Sequence, residues 1–306
     1  VAAGFFLTSA VTSLTGLYLA FGLLVGVGNG LEALTLTLRA WMELGVMKAG
    51  DEVMVPANTY IATILAISEN GLTPILVEPD DVTCNLGARD LAAHLTPRTR
   101  ALVVIDPNNP TGAVYSRERL TAIARLAERH GLVVMSDEIY DQMLYDGAEF
   151  VPMATLCKET LCATFSGLSK VYRACGYRVG WVSFSGAVDR CERYLAGLDL
   201  LAALRLCSNV PGQWAVQTAL GGFQSIGRLC SPGGRLYQSR KAIIDGVAKS
   251  RYLRLVEPRG AMYAFIGVDK QKLPAFDDEQ FAMELLEQQH VLIAPGSSFN
   301  GPDRSE

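Results

Sequence analysis

The chain has 306 residues, with 27 Lys or Arg against 31 Asp or Glu, for a formal net charge of -4. Half of it is hydrophobic and 29 residues are glycine, which suits one large packed α/β domain plus part of a second and offers no basic footprint for nucleic acid. Seven scattered cysteines without a CxxC pair fit free thiols in a reducing cytoplasm rather than a disulfide framework, and no low-complexity tract or internal repeat is present.

In chain order, the first feature is an uncharged stretch from Val1 to Leu31, of which Phe5 to Val27 is long enough to cross a bilayer. Its five Thr or Ser and three Gly between Thr8 and Gly26, and its lack of basic flanks, argue against a membrane span and for an apolar core segment. After Gly28-Asn29-Gly30, helical periodicity puts Leu31, Leu34, Leu38 and Trp41 or Met42 on one face. A buried strand is expected at Val53–Val55, a helix from about Thr59 to Glu69, and strands at Ile75–Val77 and Ala101–Ile105. Ser116 can cap the next helix and Gly131 can stop it, with Leu120, Ile123, Ala124 and Ala127 on its apolar face. The strand Leu132–Met135 leads straight into Ser136-Asp137-Glu138, and Leu161–Phe165 is a further strand.

Short strands alternating with helices imply a mainly parallel, doubly covered sheet, whose ligand sits beyond the carboxyl ends of the strands. Asn109, Asp137 and Ser166 all follow expected strands. Later come a helix at Arg235–Lys249, a strand-like segment at Ala261–Ile266 and a helix at Asp278–His290, which read as a smaller α+β domain. The expected domains are residues 1–232, large and incomplete at its start, and residues 233–306, a partial small domain. His94, His130 and His290 lie far apart, so neither a metal site nor a Ser-His-Asp triad has support.

The chemistry-bearing residues lie in the loops. Lys170 sits in Phe165-Ser166-Gly167-Leu168-Ser169-Lys170, and Arg178 follows eight residues on, within Gly176-Tyr177-Arg178-Val179-Gly180-Trp181. Asp137 and Tyr140 share Asp137-Glu138-Ile139-Tyr140, where helix capping is the plainer use of the aspartate. Asn109 stands in Asn108-Asn109-Pro110-Thr111-Gly112, a sequence that turn chemistry alone could explain.

Taken together, Ile105 to Trp181 resembles the class I/II aminotransferases of pyridoxal-phosphate (PLP) fold type I. Residues 102–299 are most similar to the bacterial alanine-synthesising transaminases, a likeness continued by Leu204–Pro211, Ser231–Tyr237 and Glu257-Pro-Arg-Gly-Ala-Met-Tyr263. The resemblance implies an aspartate-aminotransferase-like α/β fold and the cofactor pyridoxal 5'-phosphate. It implies Lys170 as the amine that carries the cofactor and moves the substrate proton, and Asp137 at the pyridine nitrogen. Asn109 and Tyr140 would meet the phenolic oxygen, with Asn109 also touching substrate, and Arg178 would meet the phosphate. Many relatives carry serine three residues before the lysine as a phosphate ligand, where this chain has Gly167.

Residues 20–100 instead resemble the DegT-type nucleotide-sugar aminotransferases, through Val25–Leu34 and Gly50–Thr63. That likeness implies that backbone N–H groups of Gly30 and Leu31 hold the phosphate at a helix start, and that Tyr60 stacks on the cofactor ring. A seam between the two likenesses is expected at Leu95–Ala101. Beyond Phe299 the transaminase pattern should reach an arginine for the substrate carboxylate, yet Arg304 is the sole arginine left and its context does not match. The expectation is a soluble cytoplasmic transaminase, a homodimer that moves an amino group between an amino acid, alanine or glutamate, and a 2-oxo acid by a ping-pong route. The alternatives are a nucleotide-sugar aminotransferase, a PLP-binding chain with little activity and, resting on Val1 to Leu31, a membrane-anchored protein.

Overall fold

A computed structural model describes residues 30–204 and 209–299. Its centre is a six-stranded sheet in the order β2-β1-β3-β4-β5-β6. The strands are β1 (Glu52–Pro56), β2 (Thr73–Val77), β3 (Thr99–Ile105), β4 (Val133–Asp137), β5 (Leu161–Gly167) and β6 (Gly180–Gly186). All neighbours pair parallel except β5 with β6. The mainly parallel α/β expectation is borne out.

The apolar runs are continuous because both faces of the sheet are covered. Side chains alternate along a strand. On β3, Ala101, Val103 and Ile105 join one cluster while Leu102 and Val104 join the other. The first cluster packs under helix α1 (Gly30–Glu43), through Leu34, Leu38 and Trp41, and under α2 (Ile61–Ser68), through Ala66 and Ile67. Trp41 also stacks on Tyr194 of α5 (Glu192–Leu204), with centroids 4.3 Å apart. The second cluster packs under α3 (Ala88–Ala93) and under α4 (Arg117–His130), through Leu120, Ile123, Ala124 and Ala127. Ser116 caps α4 by accepting from the Arg119 N–H at 3.2 Å, and Gly131 ends it at φ 63°.

Later elements are α6 (Val210–Gly221), α7 (Ile226–Cys230), α8 (Arg235–Ala248), the antiparallel pair β7 (Leu253–Leu255) and β8 (Ile266–Val268), and α9 (Asp278–Gln289). The strand expected at Ala261–Ile266 forms only from Ile266 onward. Ala261 has a positive φ of 55°, which breaks the extended run, and its N–H is given to Met143 O at 2.9 Å. Among the described residues no helix is long and apolar enough to cross a membrane. All but the end of the Val1–Leu31 stretch lies outside the described residues.

Candidate active site

The parallel register sets Ile105 beside Asp137 and Asp137 beside Phe165, so three strands deliver their loops to one edge. There a cavity of about 580 Å³ opens, lined among others by Tyr60, Asn109, Asp137, Tyr140, Lys170 and Arg178. Ligand pockets typically span roughly 300–1,000 Å³, enough for a small cofactor with a substrate. Six residues singled out in the sequence thus line one cavity. Gly30 opens α1, and Ala33 and Leu34 of that helix also line the cavity.

Each side chain has a local reason for its position. Asn108 takes the turn: its Oδ1 accepts from the Thr111 N–H at 3.2 Å and the Thr111 hydroxyl at 2.8 Å, which leaves Asn109 to face the cavity. Asp137 ends β4 half-buried, and its Oδ1 accepts from the Ile139 N–H at 3.2 Å. Withdrawal from water pushes its pKa up to about 6, against the pull of that hydrogen bond and of the Lys170 charge. Glu138 points away from the cavity, accepting from the Ser136 hydroxyl and the Met153 N–H, each at 2.9 Å, and burial raises it to about 7.

Lys170 lies in the loop after β5, with its Nζ 5.8 Å from the centre of the Tyr140 ring. Arg178, in left-handed backbone at φ 51°, gives an Nη1 hydrogen to Cys175 O at 2.6 Å. Tyr60 stands at the N-cap position of α2 with no side-chain capping bond and is 54% exposed, so its ring is open to a ligand. Gly167 sits where a Cβ would come within 2.8 Å of Val179 O, which accounts for the missing serine. Ser166 and Ser169 both line the cavity.

The sequence reading missed Tyr263. It belongs to a quoted motif but carried no assigned role, and it lines the cavity with its hydroxyl 2.6 Å from that of Tyr140. Nothing local could reveal this, because the two residues are 123 positions apart.

The model of the family "Aminotransferase class I and II" matches residues 23–305, on both sides of the seam expected at Leu95–Ala101. The chain is 42% identical over 279 residues to the glutamate-pyruvate aminotransferase AlaA of Escherichia coli (strain K12), covering 90% of this chain and 67% of that one. It is 42% identical over 280 residues to an alanine aminotransferase of Mycobacterium tuberculosis (strain H37Rv), covering 91% of this chain and 64% of the relative. Among solved structures, an aminotransferase from Escherichia coli superposes with a TM-score of 0.84 at 40% identity, over 90% of this chain and 67% of that one. The alanine aminotransferase from Pyrococcus furiosus gives 0.80 at 30% identity, over 90% and 68%. The chain therefore spans about two thirds of the length of these relatives. A mainly parallel sheet that gathers an amine, a carboxylate, an amide, a phenol and a guanidinium at one edge, in a chain matched by a family model along nearly all its length, makes this chain a member of the class I and II aminotransferases, which are PLP-dependent enzymes.

Proposed function

We propose that the chain moves an amino group between an amino acid, alanine or glutamate, and a 2-oxo acid, in two half-reactions at one site. The observation that carries this reading is the shared cavity wall of Lys170, Asp137, Asn109, Tyr140 and Arg178. These residues fit PLP: a carboxylate with only one N–H donor suits a cationic ring nitrogen, and a guanidinium suits a phosphate. When bound, the cofactor supplies an electron sink for the bond broken at the substrate Cα.

The chain's own residues do the rest. Lys170 holds the cofactor and takes the proton from Cα as general base. Asp137, ionised at neutral pH, holds positive charge at the ring nitrogen. Asn109 and Tyr140 donate to the phenolic oxygen, and Asn109 also orients the substrate. Arg178 anchors the phosphate, joined by the N–H groups of Gly30 and Leu31 at the start of α1. Tyr60, on the cavity lining, would stack on the cofactor ring. Residues 1–232 form the cofactor-binding domain and 233–306 part of the small domain. The working form is a cytoplasmic homodimer, since Trp214 and Phe223 leave an apolar surface at 77% and 83% exposure that a second copy would cover. The thiols of Cys157, Cys162, Cys175, Cys191 and Cys230, none joined in a disulfide, suit that compartment.

A second reading, a nucleotide-sugar aminotransferase, draws on the likeness of Val25–Leu34 and Gly50–Thr63 and on the open ring of Tyr60. Borohydride reduction of the holoenzyme, followed by peptide mapping, should label Lys170. L-alanine with 2-oxoglutarate, and L-glutamate with pyruvate, should both turn over. Label on another lysine would overturn the site, and turnover confined to nucleotide amino sugars would overturn the substrate class.

A further inference from the structure

Tyr140 and Tyr263 reach the cavity from distant parts of the chain and meet hydroxyl to hydroxyl at 2.6 Å. Their rings stand edge to face, 5.5 Å apart at 84°. A contact this short holds one proton between the two oxygens, so one tyrosine donates and the other accepts. Tyr140 is only 2% exposed, whereas Tyr263 is half-buried. Tyr140 therefore has two directions in which to bond, toward Tyr263 and into the cavity.

The arrangement is held from outside. Gly112 O accepts from the N–H groups of both Arg259 and Gly260 at 2.8 Å, and the Tyr145 hydroxyl gives its proton to Ala261 O at 2.8 Å. Gly112 itself has φ +70°, and a Cβ there would lie 2.9 Å from Tyr263 O. The segment that carries Tyr263 is thus fixed against the asparagine loop and the Tyr140–Tyr145 turn.

We propose that Tyr263 is a positioning residue that donates its hydroxyl proton to Tyr140 and thereby aims the Tyr140 proton at the phenolic oxygen of the cofactor. The proposal rests on the reading of Tyr140 as a donor to that oxygen. Hydroxyls in a chain polarise one another, so a phenol that accepts one bond becomes a stronger donor in the next. The opposite order would turn a lone pair of Tyr140, itself buried, toward an oxygen that bears negative charge. Burial pushes the Tyr140 hydroxyl far above the usual tyrosine range, so it keeps the proton it has to give.

The test is a pH titration of the visible band of the bound cofactor in the holoenzyme, in Tyr140→Phe, in Tyr263→Phe and in the double variant. Removing the donor at Tyr140 should raise the midpoint by about 1 unit, the equivalent of one hydrogen bond. Tyr263→Phe should raise it by about 0.1–0.3 unit, the cooperative share, and should add nothing in the Tyr140→Phe background. Tyr263→Leu, which also removes the ring edge, should match Tyr263→Phe. No shift in Tyr263→Phe, or the same shift in both backgrounds, would overturn the proposal, and so would a larger shift in Tyr263→Leu, which would assign the effect to ring packing. An unshifted midpoint in Tyr140→Phe would overturn the role of Tyr140 itself, and the proposal with it.

Discussion

Asp137 and Arg240 are both charged side chains withdrawn from water, and the fold treats them in opposite ways. Arg240, on α8 and 8% exposed, gives Nε–H to Pro258 O at 2.5 Å and bridges Glu257 at 2.5 Å and Asp146 at 2.7 Å. Its guanidinium also lies 5.0 Å from the Tyr145 ring centre and 5.9 Å from that of Tyr237. Asp137 has one backbone N–H and the influence of Lys170, and burial still outweighs both. A charge satisfied by its own chain holds a structure together, whereas one left under-compensated at the wall of a cavity is matched to something the chain does not contain.

The largest expected effect breaks this contrast at its ligand-facing end. Asp137→Asn keeps an oxygen for the Ile139 N–H but removes the charge. Turnover of the holoenzyme should fall by roughly 10²–10³-fold, the usual scale for one preorganised electrostatic group. The PLP-free chain should change in the other direction. Its folded-state pKa of about 6 lies above the ordinary aspartate value of 3.8, so the folded state binds the proton more tightly and wild-type stability falls as pH rises through that window. The ionised carboxylate then costs on the order of 3 kcal/mol at pH 8, and nothing at pH 3. Urea unfolding of the PLP-free protein should therefore show Asp137→Asn to be more stable than wild type at pH 8 and equal to it at pH 3. A variant less stable at pH 8 would make the charge of Asp137 a stabiliser of the turn at Ile139 and end the comparison.

Arg240→Met gives the smaller effect, and only on stability. It removes a compensated charge, leaving Pro258 O without that donor and two carboxylates without their shared cation. Breaking a buried pair costs about 3–5 kcal/mol, but Glu257 is 54% and Asp146 35% exposed at the side chain and water can recover them. About 2–3 kcal/mol is therefore expected from urea midpoints, with no dependence on whether PLP is bound. A loss confined to the holoenzyme would show that Arg240, too, serves the cofactor.

The same contrast explains what the sequence could reveal. Asn109, Asp137, Lys170 and Arg178 sit at strand ends or within a few residues of them, where apolar runs, turn residues and a family likeness all coincide. Ser116 and Gly131 were legible for the same reason, since a cap and a left-handed stop are local features. The Arg240 clamp and Tyr263 were not. Their partners lie 17 to 123 residues away, and their side chains look like ordinary surface arginine and tyrosine until the chain is folded. The strand expected at Ala261–Ile266 starts only at Ile266 because Ala261, at positive φ, gives its N–H to Met143 O and its carbonyl to the Tyr145 hydroxyl rather than to a sheet.

The smallest effect tests whether the cavity wall itself is closed to side chains. Gly167 and Gly180 face each other across the β5–β6 pair, and a Cβ at 167 would lie 2.8 Å from Val179 O and 3.0 Å from the Gly180 Cα. The carbonyl cannot easily yield, because it accepts from the Leu168 N–H at 2.9 Å, two residues before Lys170. Forcing a side chain into such packing costs about 1–3 kcal/mol. A serine hydroxyl could recover part of that by meeting the cofactor phosphate, since a hydrogen bond to a charged group contributes about 1.5–3 kcal/mol. Gly167→Ala isolates the steric cost, and Gly167→Ser adds the hydroxyl. Both PLP-free variants should lose about 1–2 kcal/mol in urea, while PLP affinity should be higher in the serine variant than in the alanine variant. The serine variant should gain less than tenfold over wild type, because the displaced strand moves the Lys170 loop away from its best position. Wild-type urea midpoints in both variants would mean that β6 gives way freely, and that close strand approach is not what keeps a side chain off position 167.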